Sequence, residues 1–246
     1  MARLPYLDID DLEEKDHDLL KRPINLFRQL VNSTGGARAF GTLGHYIRYK
    51  STLDPRIREM AIIQVGFLTK SEYEYTHHIK LGTEQFGVSE KDIRAITNET
   101  TGIETSLTEF ERAVLASARE MVTDLKISNH NFEILQNNLS HEHLIDLVLT
   151  IAFYCGVVRV LATLEIDNEP TYKEVLNTFQ QPLNTFPTLL EYNVTDSIFK
   201  DLSVFTNATQ FVDHKYKFLD VASSVWNVIQ KSNIRAFNNF FYKDIN

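Results

Sequence analysis

Between positions 56 and 78 the chain concentrates its ionisable side chains: Arg56, Arg58, Glu59, then Ser71, Glu72, Tyr73, Glu74, Tyr75, His77 and His78. On a helix, residues three and four apart share a face, so His78 falls beside the apolar stripe Tyr75, Ile79, Gly82 and Phe86 and points inward. His77 shares its face with Tyr73, Lys80 and Glu84 and reads as an exposed histidine. Glu74, four residues before His78, is within reach of an imidazolium. A half-buried carboxylate such as Glu59 beside an imidazole makes a proton-transfer pair, since burial and mutual charge bring both groups toward neutral pKa values. A second reading stands beside it: Glu59 pairs with Arg56, and Ser71 and Glu74 merely cap a helix. Glu74 and His77 also form a Glu-x-x-His of the kind used in helical di-iron sites. Such sites need two of these pairs converging on one centre, and a Glu-x-x-His on an amphipathic helix is a weak signal, so metal is only a minor alternative and no metal ligand is assigned.

The elements that hold these residues read as helices. Asp54-Pro55 is an N-cap with proline at the first helical position, and the run PRIREMAIIQVGFL that follows is apolar almost all round, as befits a core helix. Ser71 with Glu74, Ser89 with Asp92, and Thr108 with Glu111 match capping boxes, and Gly87 is placed to end the second helix. Ser140 caps a further one. Residues 144–164 reach membrane-spanning length, but Asp146 and Arg159 interrupt them and no lysine-rich flank orients them, so they are expected to form a buried central helix. Pro23–Ser33 and Ala37–Lys50 read as two more helices, separated by Gly35-Gly36. No alternating strand pattern competes.

Composition narrows the function classes. The 246 residues carry 25 Lys and Arg against 33 Asp and Glu, a net charge of -8, so no global positive field gathers phosphates and nucleic acid is not an expected partner. The opening MARLPYLDIDD turns acidic where a signal peptide would be apolar, which gives a cytoplasmic expectation and no membrane association. Cys155 is the single cysteine, which excludes an intrachain disulfide or a Cys-x-x-Cys pair. Composition shifts near Pro182–Pro187: residues 187–246 contain no glycine, 11 of the chain's aromatics and balanced charge. The expected organisation is therefore a helical domain over 1–186 and an aromatic, helical C-terminal extension over 187–246.

The stretch LDPRIREMAIIQVGFLTKSEYEYTHHIKLGTEQFGVSEKDIRAI, from Leu53 to Ile96, resembles the carboxymuconolactone decarboxylase family and its alkyl hydroperoxidase D-like relatives. The agreement extends from RPINLFRQL through GGARAF to AFYCGVVRVLATLEID. The resemblance implies an all-α bundle that forms homo-oligomers, trimers or hexamers, with sites near subunit contacts. In the peroxidase branch a glutamate is followed twelve residues later by Cys-x-x-Cys and then by a histidine, a spacing that lands on Glu59, Ser71, Glu74 and His78. Both cysteines are absent, and neither serine nor glutamate can replace a peroxidatic or resolving thiol.

What the resemblance then implies is cofactor-free proton transfer on a small-molecule substrate, decarboxylation or isomerisation of a small carboxylate or lactone. Glu59 and His78 would be the catalytic pair. Arg58 or Arg159 would supply a substrate-binding cation, and Ser71, Glu74 and Tyr75 would line the pocket. Arg159 has a plainer reading as a partner of Asp146 or Glu165. Two alternatives remain: a peroxidase-type activity, which the missing cysteines disfavour, and a non-catalytic helical oligomer that binds a small molecule or a protein.

Overall fold

The computed structural model describes residues 2–179. The expected boundary near Pro182 and the extension over 187–246 lie outside them. Within the described residues the chain is all α, with no strand. Short 3-10 turns at Ile9–Asp11 and Glu14–Leu20 lead into α1 (Asn25–Leu30), α2 (Thr34–Tyr49), α3 (Pro55–Leu68), α4 (Glu72–Gln85), α5 (Glu90–Thr100), α6 (Glu109–Thr123), α7 (Asn129–Asn138), α8 (His141–Leu164) and α9 (Pro170–Lys173).

The helix starts follow their caps. Asp54 accepts the Ile57 N–H at 3.0 Å, and Pro55 occupies the first turn of α3. Ser89 and Thr108 form full capping boxes with Asp92 and Glu111. Ser71 accepts the Glu74 N–H, but the reciprocal bond is missing, because the Glu74 side chain turns inward to His78 instead. Gly87 adopts φ +76°, the left-handed turn that glycine takes without steric cost, just past the end of α4. One expectation fails here: Gly35 and Gly36 do not break the chain. They lie in the first turn of a continuous α2 that starts at Thr34, where the helix is least costly to build from glycine.

α3 is the axis of the bundle. Ile57 to Phe67 are all buried, and the helix packs on α4, α5, α6 and α8. One side of it joins Ile47, Val114, Leu147, Ile151 and Tyr154 in the larger core. The other side, through Met60, Ile63 and Phe67, meets Tyr75, Ile79, Ile93, Ile96 and Leu115. A hydrophobic helix buried all round is what its nearly uniform sequence dictates. Arg56, at its start, binds Asp92 of α5 at 2.5 Å and Glu111 of α6 at 2.6 Å, which ties three helices together.

α8 corrects a second expectation. By length and composition alone it is apolar enough to cross a membrane, with a mean hydropathy of 2.1. It is buried on one face only: Leu144, Leu147, Ile151, Tyr154, Val158 and Leu161 enter the core, while Ile145 and Leu149 are exposed.

α3 and α4 approach closely because Gly66 has no side chain; a Cβ there would stand 2.9 Å from the Tyr75 backbone nitrogen. Gly66→Ala is therefore expected to force the two helices apart and destabilise the fold by about 1–3 kcal/mol. Gly35→Ala, with nothing within 4 Å of the added carbon, should be neutral or stabilising. Urea midpoints of the two variants check this, and a Gly66→Ala protein as stable as the parent would overturn the close-approach argument.

Candidate functional site

Glu59 lies in the second turn of α3, and no part of it reaches solvent. A carboxylate there must be compensated on both oxygens. Arg58, itself buried, donates from Nε and Nη2 to Oε1 at 3.2 Å, and its guanidinium lies over the Phe86 ring at 4.5 Å. His78 of α4 stands with Nδ1 2.6 Å from Oε2. The other ring nitrogen, Nε2, is 2.9 Å from Oε1 of Glu74 one helical turn earlier. His78 thus bridges two buried carboxylates. Burial by itself pulls an imidazole down, but Glu59 and Glu74 outweigh it and push His78 up to about 9. At neutral pH it is an imidazolium donating from both nitrogens.

The alternative pairing of Glu59 with Arg56 does not occur, since Arg56 is taken by Asp92 and Glu111. Glu59, His78 and Glu74 come together; the helical spacing implied the contact of Glu74 with His78, and the packing of α3 on α4 adds Glu59.

Beside this chain of charges lies a cavity of about 40 Å³, room for about three waters. Its polar wall is formed by Arg22, Arg48, Tyr73, Glu74, His77, His78 and Tyr154, and its apolar wall includes Phe27, Phe40, Leu81, Phe153 and Val157. Tyr154 of α8 meets the His78 ring edge-on at 4.8 Å, and its hydroxyl accepts a hydrogen bond from Arg48 Nη1 of α2 at 3.1 Å. Burial raises the Tyr154 hydroxyl well above its ordinary range, so it stays protonated.

Other expected site residues fall elsewhere. Tyr75 faces away from this cavity, packed on Phe67 in the core between α3, α4 and α5. Ser71 is a helix cap and does not line the cavity. Arg58 is spent on Glu59. Arg159 is exposed and donates to the Cys155 carbonyl of its own helix; it binds neither Asp146, which Tyr46 and Ser51 hold, nor Glu165, which Arg3 holds. Neither proposed cation is on the wall, which uses Arg48 and Arg22 instead.

His77 is the clearest correction. It is buried, with its ring stacked between Tyr73 at 3.9 Å and Tyr172 at 3.5 Å. Its Nδ1–H donates to the Tyr73 carbonyl at 2.8 Å, and Nε2 is 2.9 Å from Glu169. The outer face of α4 is polar by pattern, but α9 folds back over it and excludes solvent. The Glu-x-x-His therefore does not converge: Glu74 turns to His78 and His77 to Glu169. Among the described residues no group of three or more acidic, histidine or cysteine side chains is arranged to hold a metal ion.

Sequence reading missed Arg48 and Tyr154. The clue available was a basic residue on an otherwise apolar-to-small helix face at Gly44, Ile47 and Arg48, and a tyrosine inside the apolar run of α8.

Residues 36–120 match the Carboxymuconolactone decarboxylase family. No curated protein sequence matches the chain. Among solved structures it is similar to a debrominase crystallised with 2,3,4-tribromopyrrole, at a TM-score of 0.62 and 18% identity, over 73% of this chain and 100% of that one. An uncharacterized peroxidase-related protein from Silicibacter aligns at a TM-score of 0.56 and 18% identity, over 69% of this chain and 92% of that one. A peroxidase-related protein from Ralstonia eutropha with an alkylhydroperoxidase AhpD core gives 0.53 and 16%, over 70% and 94%. At these identities the likeness is one of fold. Residues 36–120 thus carry a match to the carboxymuconolactone decarboxylase family within an all-α fold similar to that of AhpD-core proteins, and the single cysteine leaves the chain without a Cys-x-x-Cys pair.

Proposed function

We propose that the chain is a cofactor-free proton-transfer enzyme acting on a small carboxylate or lactone, by decarboxylation or isomerisation. The observation that carries this reading is the buried relay Glu59–His78–Glu74 ending on a small, partly enclosed and partly apolar cavity. Glu59 is a positioning residue: it holds the His78 ring by Nδ1 and keeps it charged. His78 and Glu74, both on the wall, are an acid and a base 2.9 Å apart. In decarboxylation the C–C bond to the carboxyl breaks, its electron pair stays on carbon, CO2 leaves and the relay supplies the proton. In isomerisation Glu74 takes a proton from one carbon and His78 returns one to another.

A thiol peroxidase reading has little to stand on. Cys155 sits on α8 away from the cavity wall, burial pushes its thiol up, and the chain has no second thiol to resolve a sulfenic acid.

The charge state of His78 has a consequence for stability. Because its folded pKa lies above the unfolded value of about 6.5, the stabilisation it brings is fully present below that pH and is lost as pH rises through about 9. The size is about 3 kcal/mol at most. Thermal midpoints measured from pH 6 to 10 should fall over this window, and the fall should be flattened in His78→Gln; equal slopes in both proteins would overturn the assignment of charge. For activity, incubation in D2O with a panel of short unsaturated carboxylates, β-oxo acids and lactones should show deuterium entering beside a carbonyl, or release of CO2. His78→Gln and Glu74→Gln should each slow this by about 100-fold or more. Turnover that is indifferent to both substitutions, or absent across the panel with folded protein, would refute the reading.

A further inference from the structure

The wall of the cavity carries more positive charge than its carboxylates balance. Glu59 and Glu74 face Arg58 and the His78 imidazolium, two against two. Arg48 and Arg22 remain on the lining. Among the described residues no carboxylate lies within ion-pair distance of either. Arg48 donates to the Tyr154 hydroxyl and lies 5.7 Å from the centre of the Tyr49 ring, while its Nε, shielded from solvent, has no partner. Arg22 donates to the Tyr172 hydroxyl at 3.3 Å. The Tyr154 hydroxyl accepts from Arg48, and among the described residues nothing takes its proton. A half-buried guanidinium with an orphaned donor, beside a hydroxyl with a free proton, is a set of donors lacking an acceptor.

The rest of the wall bounds the acceptor's size. Phe27, Phe40, Phe153, Leu81 and Val157 are apolar; room for about three waters takes the carboxylate head, and because the cavity is only partly enclosed, the short unsaturated chain that a double-bond shift requires extends out from it. Glu74 does not repel such a head strongly, because its charge is met by His78 at 2.9 Å.

We infer that the cavity binds a short-chain monocarboxylate, its head group held by Arg48 and the Tyr154 hydroxyl, which assigns the substrate class within the proton-transfer reading on which this inference rests. The placement also separates the two reactions. A guanidinium pinned on the carboxylate opposes its departure as neutral CO2, whereas it leaves untouched a proton transfer along the carbon chain. In that transfer one C–H bond breaks and its proton goes to Glu74, the double bond shifts, and His78 protonates the carbon at its far end. The proton on Glu74 then restores His78 across the 2.9 Å contact, and the carboxylate is unchanged.

The test uses the full chain and carbon-13 acetate, with acetamide as the neutral isostere, followed by NMR titration. Acetate should bind saturably and acetamide should not, and Arg48→Gln should weaken acetate by about tenfold or more. Should Arg48→Gln fail to fold, Tyr154→Phe together with competition by formate in the parent protein gives the same information. Equal binding of acetamide and acetate, or acetate binding indifferent to Arg48, would overturn the inference. Acetate bound at Arg48 with no deuterium exchange on any substrate would keep the anion site and remove the proton-transfer reading. Exchange on neutral lactones without acetate binding would do the reverse.

Discussion

A carboxylate with no access to water sits in the middle of the most buried helix of this protein, and the bundle is arranged to satisfy it. Glu59 lies among Met60, Ala61, Ile62 and Ile63, in a run where every residue is inside. Ionised and alone it would be strongly unfavourable there. Arg58 meets one oxygen and His78 the other, which fixes the rotation of α4 against α3 and the ring orientation of the histidine. Removing one member leaves the others as unpaired buried charges, which is why such a cluster specifies a single arrangement.

Getting α4 close enough requires Gly66, whose missing side chain lets the α4 backbone approach α3 near Tyr75. Gly82, facing Val88 and Glu59, has the same effect a helical turn beyond His78. A short hydrogen bond such as the 2.6 Å contact between Glu59 and His78 is available only between elements held this near. The same packing turns Glu74 out of its half-formed capping box and toward the ring, so a helix cap gives up one bond and the site gains a base.

The peroxidase branch of the family that the sequence resembles would, by that resemblance, place two sulfurs where this chain has Ser71 and Glu74. The substitution of Glu74 does more than delete redox chemistry. It adds a second carboxylate to the histidine, which raises the imidazole and turns it into a resident cation. With Arg48 and Arg22 also on the wall, the cavity is electropositive despite the acidic chain around it. Local charge at a site and net charge of a chain are independent quantities, because screening confines each group's influence to its neighbours.

Much of the architecture was legible in the sequence. Cap residues, proline at a first turn and a continuous apolar run are local signals, and they located α3, α4, α5, α6 and α8 because the physics they report acts within one or two turns. The meeting of Glu74 with His78 was legible for the same reason, being a four-residue spacing on one helix. Only the tertiary structure decided which cation serves the cavity, which tyrosine lines it and whether His77 is wet. Arg48 and Tyr154 are 106 residues apart and Tyr73 and Glu169 are 96 apart; no periodicity links such positions. His77 was misread because the face of α4 that carries it is polar by pattern, and a helical stripe describes one element while burial depends on what another element lays across it.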